Sequence, residues 1–321
     1  MVSNVNNTTV SVIGLGYIGL PTAAVIASRG VRVVGVDTDE QVVATINAGG
    51  IHIVEPDLDI AVRAAVNAHM LRASLHPEPA DIFVIAVPTP LRENNSPDVG
   101  SIEAAARAIA PVLKSGDLIL LESTSPVGTT ARLTEWLAEE RPDLGFPSAN
   151  SAVADVHVAY CPERVLPGHV LHELISNDRI IGGVSPACAE RASGFYQLFV
   201  SGELHVTDAR TAEMVKLTEY SFRDVNIALA NERSLVCDHL DIDVWELIAL
   251  ANHHPRVNLL RPGPGVGGHC IAVDPWFVIN SAPDQSRLIR AAREVNDSKP
   301  GWVVEKVKVL ASDLDSPSIA C

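Results

Sequence analysis

This chain lacks any apolar run near the ~20 residues that a membrane-spanning helix needs, and its polar opening, Met1 to Thr9, carries no charged side chain. No secretory signal is legible there. Basic residues are also scarce, with 24 Lys plus Arg against 39 Asp plus Glu and a net charge of −15. With no basic run to offset that balance, a nucleic-acid surface is not expected, although single basic residues can still meet phosphates. The five cysteines, at positions 161, 188, 237, 270 and 321, form neither a CxxC pair nor a zinc-ligand spacing. They point to a reducing compartment, with no metal and no disulfide scaffold. A soluble, cytoplasmic protein of about two domains is the expectation for 321 residues.

What is present begins with a short β-branched run, Val10 to Ile13, that leads into Gly14-Leu15-Gly16-Tyr17-Ile18-Gly19 and then an alanine-rich stretch through Ser28. This is strand, glycine loop, helix. In a dinucleotide fingerprint, Gly14 permits the tight turn, Gly16 lets a pyrophosphate approach the backbone and Gly19 allows close helix packing. The helix N-terminus faces the phosphate charge. A second run, Val31 to Val36, ends in Asp37. A carboxylate there accepts hydrogen bonds from ribose hydroxyls and repels a 2′-phosphate, which favours NAD over NADP. An unrelated strand-turn-helix would carry the same glycines without the ligand.

Further strand-like runs fall at Ile82 to Val87, Leu118 to Leu121 and Val156 to Tyr160, separated by helical stretches such as Ile102 to Leu113 and Thr130 to Glu140. The alternation predicts an α/β fold, a doubly wound Rossmann-type parallel sheet, followed by an all-helical central domain. Ligands gather at the carboxyl ends of such strands. Pro88-Thr89-Pro90, Ser123-Thr124-Ser125-Pro126 and Cys161-Pro162-Glu163-Arg164 each begin where a strand should stop. Turn chemistry alone accounts for any one of them; three at one edge indicate a site. From Asp208 to about His239 runs a long helix without Gly or Pro, apolar on more than one face, with Lys216, Tyr220 and Asp224 along one stripe. The expected domains are residues 1–204, 205–298 and 299–321.

Residues 263–275 read GPGVGGHCIAVDP, placing Cys270 behind a glycine-rich loop and Asp274 four positions on. Such a loop brings backbone amides close to a ligand. His269 and the start of a helix over Ile271 to Ile279 both favour the thiolate, the nucleophilic form of cysteine. The alternative is a buried structural cysteine after an ordinary turn.

Taken in order, GLGYIGLP, VPTP, ESTSPVG, YCPERVLPG, the lysine-bearing helix, HPRVN and GPGVGGHCIAVDPWF resemble the nucleotide-sugar 6-dehydrogenases of the UDP-glucose/GDP-mannose dehydrogenase family. YCPERVLPG and ANHHPRVN are most similar to the branch that takes UDP-N-acetyl-D-mannosamine. The resemblance implies a four-electron oxidation of a UDP-sugar at C6 with two NAD, by way of a thiohemiacetal and a thioester on Cys270. It implies that Lys216 manages protons and the developing oxyanion, that Asp274 positions water or base, and that Glu163 is an acid near the chemistry. It assigns Tyr17, Ile18, Asp37, Thr89 and Thr124 to the cofactor, and Arg164, Val165, Lys216, Tyr220, Arg223, His254, Arg256 and Gly267 to the sugar nucleotide. For the arginines, a solvated surface is the ordinary alternative. A homodimer through the central helices is expected, with Arg256 acting across it.

Two departures bear on activity. The family pattern Lys-x-x-x-Asn is here Lys216-Leu-Thr-Glu-Tyr220, which replaces a small amide donor by one hydroxyl on a bulky ring. Family members also continue into a third, Rossmann-like domain that completes the nucleotide pocket. In this chain Lys299 to Asp313 reads as its linker helix and Ser318 to Cys321 as its first strand. Three functions are thus expected in turn: the dehydrogenase, a catalytically silent NAD- or sugar-nucleotide-binding homologue, and a two-electron dehydrogenase of the β-hydroxyacid group. Two NADH per sugar, none, or one would separate them. Loss of a single oxyanion donor lowers kcat by about 10²–10³, so a Tyr220→Asn variant is expected to turn over faster than the present chain by that order. NADH absorbance checks it; equal rates would refute it.

Overall fold

The computed structural model describes residues 8–148, 154–268 and 270–312, and the chain divides after Lys216 into two compact units. The first unit contains strands β1 (Thr9–Ile13), β2 (Arg32–Val36), β3 (Leu71–Ser74), β4 (Ile82–Ile85), β5 (Leu118–Leu121), β6 (His157–Tyr160), β7 (Arg179–Gly183) and β8 (Leu204–Asp208). Its helices are α1 (Gly19–Ser28), α2 (Glu40–Asn47), α3 (Leu58–Asn67), α4 (Gly100–Ile109), α5 (Thr129–Glu140), α6 (Val170–Ser176) and α7 (Pro186–Tyr196). Helix α8 (Ala209–His239) starts in this unit and continues into the second, which also holds α9 (Val244–Ala251), α10 (Cys270–Ser281) and α11 (Arg287–Ala311).

The strands form one sheet in the order β3-β2-β1-β4-β5-β6-β7-β8. Successive side chains of a strand point to opposite faces, and both faces here are covered. Val10, Val12, Ile82, Val84, Leu118 and Leu120 join a core with α1, α3, α6 and α7, while Ile13, Phe83, Ile85, Ile119, Leu121 and Val158 join a second core with α4 and α5. Burial on both sides explains why these strands read as continuous apolar runs rather than alternating ones. The chain leaves β1 toward β2 and β3, then returns to place β4 on the other side of β1. That reversal opens a crevice at the carboxyl ends of β1 and β4.

The expected sheet is parallel with one correction: β7 pairs antiparallel with β6, Ala159 opposite Gly183 and Tyr160 opposite Gly182, and β8 follows β7 in parallel. The strand Arg-Ile-Ile-Gly-Gly carries too little apolar length to announce itself. Its reversed direction brings its first residue, Arg179, to the edge where the parallel strands end. The short β3 and the largely exposed β8 alternate over only four and five residues, too briefly to announce a strand.

Local chemistry sets the helix ends. Asp39 accepts hydrogen bonds from the amides of Gln41 and Val42 to cap α2, Asp243 does the same for α9 from Trp245, and Ser185 with Pro186 opens α7. Among the described residues, no helix is long and apolar enough to cross a membrane. The second unit is helical throughout its described elements. The second half of α11 contains Lys299 to Ala311, so the expected linker helix starts twelve residues earlier, at Arg287. Ser318 to Cys321 lie outside the described residues. Truncating the fully buried Phe83 to alanine is expected to destabilise the fold by about 3–5 kcal/mol, read as a lower urea midpoint. An unchanged midpoint would contradict the two-sided core.

Candidate active site

The glycine loop follows β1 directly. The Gly14 amide donates to the Val36 carbonyl at 2.8 Å, and Gly14 sits at φ +91°, a left-handed backbone that favours glycine. At Gly19, the first residue of α1, a Cβ would stand 1.8 Å from the Gly14 carbonyl oxygen, whereas at Gly16 it would meet nothing within 4 Å. One glycine is required by the fold and the other leaves open space before a helix N-terminus. That combination suits a pyrophosphate. Asp37, just beyond β2, accepts the Leu15 amide on Oδ2 at 2.9 Å and the Asp39 amide on Oδ1 at 3.1 Å. Its carboxylate thus pins the loop while facing the crevice edge.

Nearby, the Ser123 hydroxyl donates to the Val87 carbonyl at 2.8 Å and accepts from the Val87 amide at 2.9 Å. This ties the segment after β5 to the one after β4. Tyr17 is exposed and Ile18 and Thr124 are half-buried, while Thr89 is buried. The loop closes at Gly128, whose amide donates to Glu213 Oε2 at 2.6 Å; the Thr130 amide and hydroxyl donate to Oε1 at 2.7 and 2.6 Å. Glu213 lies on α8 and caps α5 from a distance, so it fixes the start of α8 against the sheet edge. Burial pushes its pKa up, opposed by those hydrogen bonds.

A buried charge network stands at the ends of β5, β6 and β7. The Arg179 guanidinium contacts Glu163 at 2.6 Å and lies 3.9 Å from Glu122 Oε1, which accepts the Tyr196 hydroxyl at 2.6 Å. Glu163 also accepts the Arg164 amide at 2.7 Å. Burial raises the Glu122 pKa to about 7; Glu163 reinforces the shift, and Arg179, Tyr196 and Lys216 oppose it. The Cys161 thiol is pushed up to about 12, chiefly by burial, and is inert at neutral pH. Lys216 is buried within electrostatic reach of Glu122. Glu163 and Lys216 therefore belong to one cluster. Arg164 donates to the Asp178 carbonyl, and Glu55 accepts the amides of Gly168 and Val170, both at 2.9 Å, which closes the loop carrying Arg164 and Val165.

In the second unit Cys270 is the first residue of α10, half-buried, with its side chain hydrogen-bonded to Tyr220 of α8. A helix N-terminus stabilises negative charge, including a thiolate. The Tyr220 hydroxyl has its pKa raised by burial, by Cys270 and by the nearby, buried Asp274. The following Pro275 has no N–H to offer the Ile271 carbonyl four residues back. Arg293 of α11 reaches that carbonyl at 3.4 Å while pairing with Asp224 of α8 at 2.6 Å. Asn296 donates to Asp224 at 2.8 Å and accepts from Asn231 at 2.9 Å, and Asn231 accepts the Gly263 amide at 2.9 Å. This buried frame holds the cysteine loop at both ends. Arg223, His254, Arg256 and Gly267 are exposed; His269 lies outside the described residues.

Glu122, Arg179, Tyr196, Glu213 and Arg293 escaped sequence reasoning. Only Glu122 sits in a recognisable motif, ESTSPVG, where the serines and threonine drew attention.

The chain matches two family models in succession: the NAD binding domain of the UDP-glucose/GDP-mannose dehydrogenase family over residues 8–200, and that family's central domain over 210–298. It is 63% identical over 313 residues to an NDP-N-acetyl-D-galactosaminuronic acid dehydrogenase of Ralstonia nicotianae, covering 98% of this chain and 74% of that protein. It is also 63% identical over 305 residues to UDP-N-acetyl-D-mannosamine dehydrogenase of Escherichia coli, covering 95% and 73% respectively. Among solved structures, a UDP-D-ManNAc dehydrogenase from Pyrococcus horikoshii superposes with a TM-score of 0.88 at 41% identity, over 95% of this chain and 72% of that one. The fold is thus that of an NAD-dependent dehydrogenase. The chain belongs to the UDP-glucose/GDP-mannose dehydrogenase family, and with it to the nucleotide-sugar dehydrogenases.

The glycine geometry yields a paired expectation. Gly16→Ala keeps the melting temperature but weakens NAD binding at least tenfold by calorimetry, whereas Gly19→Ala lowers both, because its methyl group meets backbone. Wild-type NAD affinity in Gly16→Ala would remove the loop from the cofactor site.

Proposed function

We propose that this protein oxidises UDP-N-acetyl-D-mannosamine at C6 to UDP-N-acetyl-D-mannosaminuronate, through covalent intermediates on Cys270. The observation that carries the reading is the placement of Cys270 at the N-terminus of α10, half-buried, with the buried Asp274 one turn further along the same helix. The E. coli relative's name supports the substrate, as do YCPERVLPG and ANHHPRVN. NAD, when bound, supplies the hydride acceptor for each of the two oxidations. Gly14, Gly16 and Gly19 with Tyr17 and Ile18 hold its pyrophosphate end, Asp37 its ribose, and Thr89 and Thr124 line the approach.

The chain's own groups do the rest. Lys216 stabilises the oxyanion as the alcohol proton departs. The Cys270 thiolate adds to the aldehyde carbon and makes a thiohemiacetal, a carbon able to lose a second hydride. The thioester left behind is cleaved by water that Asp274 positions, which returns the thiol and releases the acid. Glu163 supports this chemistry from the sheet edge. Arg164, Val165, Arg223, His254, Arg256 and Gly267 hold the sugar nucleotide. The chain works as a homodimer through α8, whose exposed Phe222, Leu229 and Val236 recur every seven residues along one side.

A second reading, in which turnover is blocked, is favoured by one contact. The Tyr220 side chain hydrogen-bonds the Cys270 side chain, so its hydroxyl occupies the sulfur that the aldehyde would have to reach. Offering UDP-N-acetylmannosamine, UDP-N-acetylgalactosamine and UDP-glucose separately with NAD tests both readings. Two NADH per UDP-N-acetylmannosamine and a uronate by mass are expected, with turnover abolished in Cys270→Ala. Uronate from the galactosamine sugar alone would shift the substrate to that named for the Ralstonia relative. One NADH per sugar would overturn the thiol mechanism.

A further inference from the structure

Glu122 is the last charged group before the segment that carries Ser123 and Thr124, and its side chain is wholly enclosed. Oε1 accepts the Tyr196 hydroxyl of α7 at 2.6 Å and lies 3.9 Å from Arg179 of β7. Oε2 accepts no hydrogen bond from any described residue. Arg179 is nearer to Glu163, at 2.6 Å, and its guanidinium also lies over the Tyr196 ring at 5.1 Å. The groups that face Glu122 are thus Arg179 from β7, Tyr196 from α7, Cys161 and Glu163 from the segment after β6, and Lys216 from α8. Two enclosed carboxylates compete for one guanidinium.

A fixed, always-charged guanidinium held between two such acids is shared when both are ionised and held by one when the other is protonated. Glu163 is already the closer partner. Lys216, the other cation that acts on Glu122, feels the difference directly. We propose that Glu122 is a positioning residue for the dehydrogenase reaction, whose protonation decides whether Arg179 is committed to Glu163 and how much negative charge Lys216 faces. The proposal rests on the roles given above to Lys216 and Glu163. Glu122 touches no substrate in this scheme and acts only through those two groups.

Its ionisation falls near neutrality, where burial has raised it to about 7. Below that pH, Glu122 is neutral, Arg179 belongs to Glu163, and Lys216 keeps its full positive field for the oxyanion. Above it, the Glu122 charge draws on both cations.

The test uses the full chain. In Glu122→Gln the side chain keeps its shape and its Oε1 acceptor for Tyr196 but cannot ionise. The wild-type kcat profile is expected to show an inflection near pH 7 that the variant lacks, with the variant holding its low-pH value at high pH. Tyr196→Phe removes a bond to the ionised form and moves the inflection upward, which keeps the idea testable should Glu122→Gln fail to fold. Infrared difference spectra, wild type minus Glu122→Gln, are expected to show a protonated-carboxyl stretch at pH 6 that vanishes by pH 8. Absence of that stretch at pH 6, or an active enzyme whose profile survives Glu122→Gln unchanged, would overturn this proposal alone. A wild type silent toward every UDP-sugar, with the stretch present, would instead overturn the functional reading beneath it.

Discussion

The carboxyl edge of the sheet depends on Arg179. An enclosed guanidinium is tolerated only with charged partners at hand, and enclosed carboxylates need it equally; Glu163 and Glu122 converge on it from two different strand ends. Removing the arginine would leave two acids without their cation at the place where the fold concentrates its functional segments. Its position is a product of strand direction. Only an antiparallel β7 brings its first residue to the edge where β5 and β6 finish, so the single break in the parallel pattern serves the network rather than interrupting it.

The second unit solves a similar problem without ion-pair excess. Pro275 leaves a carbonyl open one residue past Cys270, and a helix with an open carbonyl in its first turns is easily frayed. Arg293 closes it from α11 while Asp224 balances the charge, and Asn296 and Asn231 carry the same scaffold back to Gly263. The thiol is therefore presented by a loop anchored at each end to two long helices. Rigid support of this kind is what the nucleophilic role proposed for Cys270 would require.

Much of this was legible in the chain, for identifiable reasons. Val10 to Ile13, Leu118 to Leu121 and the 31 residues of α8 announce themselves because their patterns are local and long enough to be unambiguous. GLGYIGLP is legible because its glycines answer to backbone geometry within six positions. Arg179 and Tyr196 were not legible, since their partners lie far off along the chain; Tyr196 and Glu122 are 74 residues apart. A lone arginine opening a short strand looks like any surface arginine until the sheet order is known. Arg293 hides for the same reason inside a charged helix. Of the motif-borne residues, Cys270, Asp274 and Tyr220 lie within electrostatic reach of one another and Glu163 and Lys216 share a cluster, whereas Arg223, His254 and Arg256 are exposed.

Asp37 carries a consequence for how such a protein can diverge. One of its oxygens holds the Leu15 amide, so the carboxylate proposed for the ribose also braces the glycine turn proposed for the pyrophosphate. Exchanging it for a small or basic side chain to welcome a 2′-phosphorylated coenzyme would slacken that brace at the same stroke. A lineage could switch coenzymes only by acquiring a substitute anchor for Leu15 first, which makes the present preference hard to drift away from.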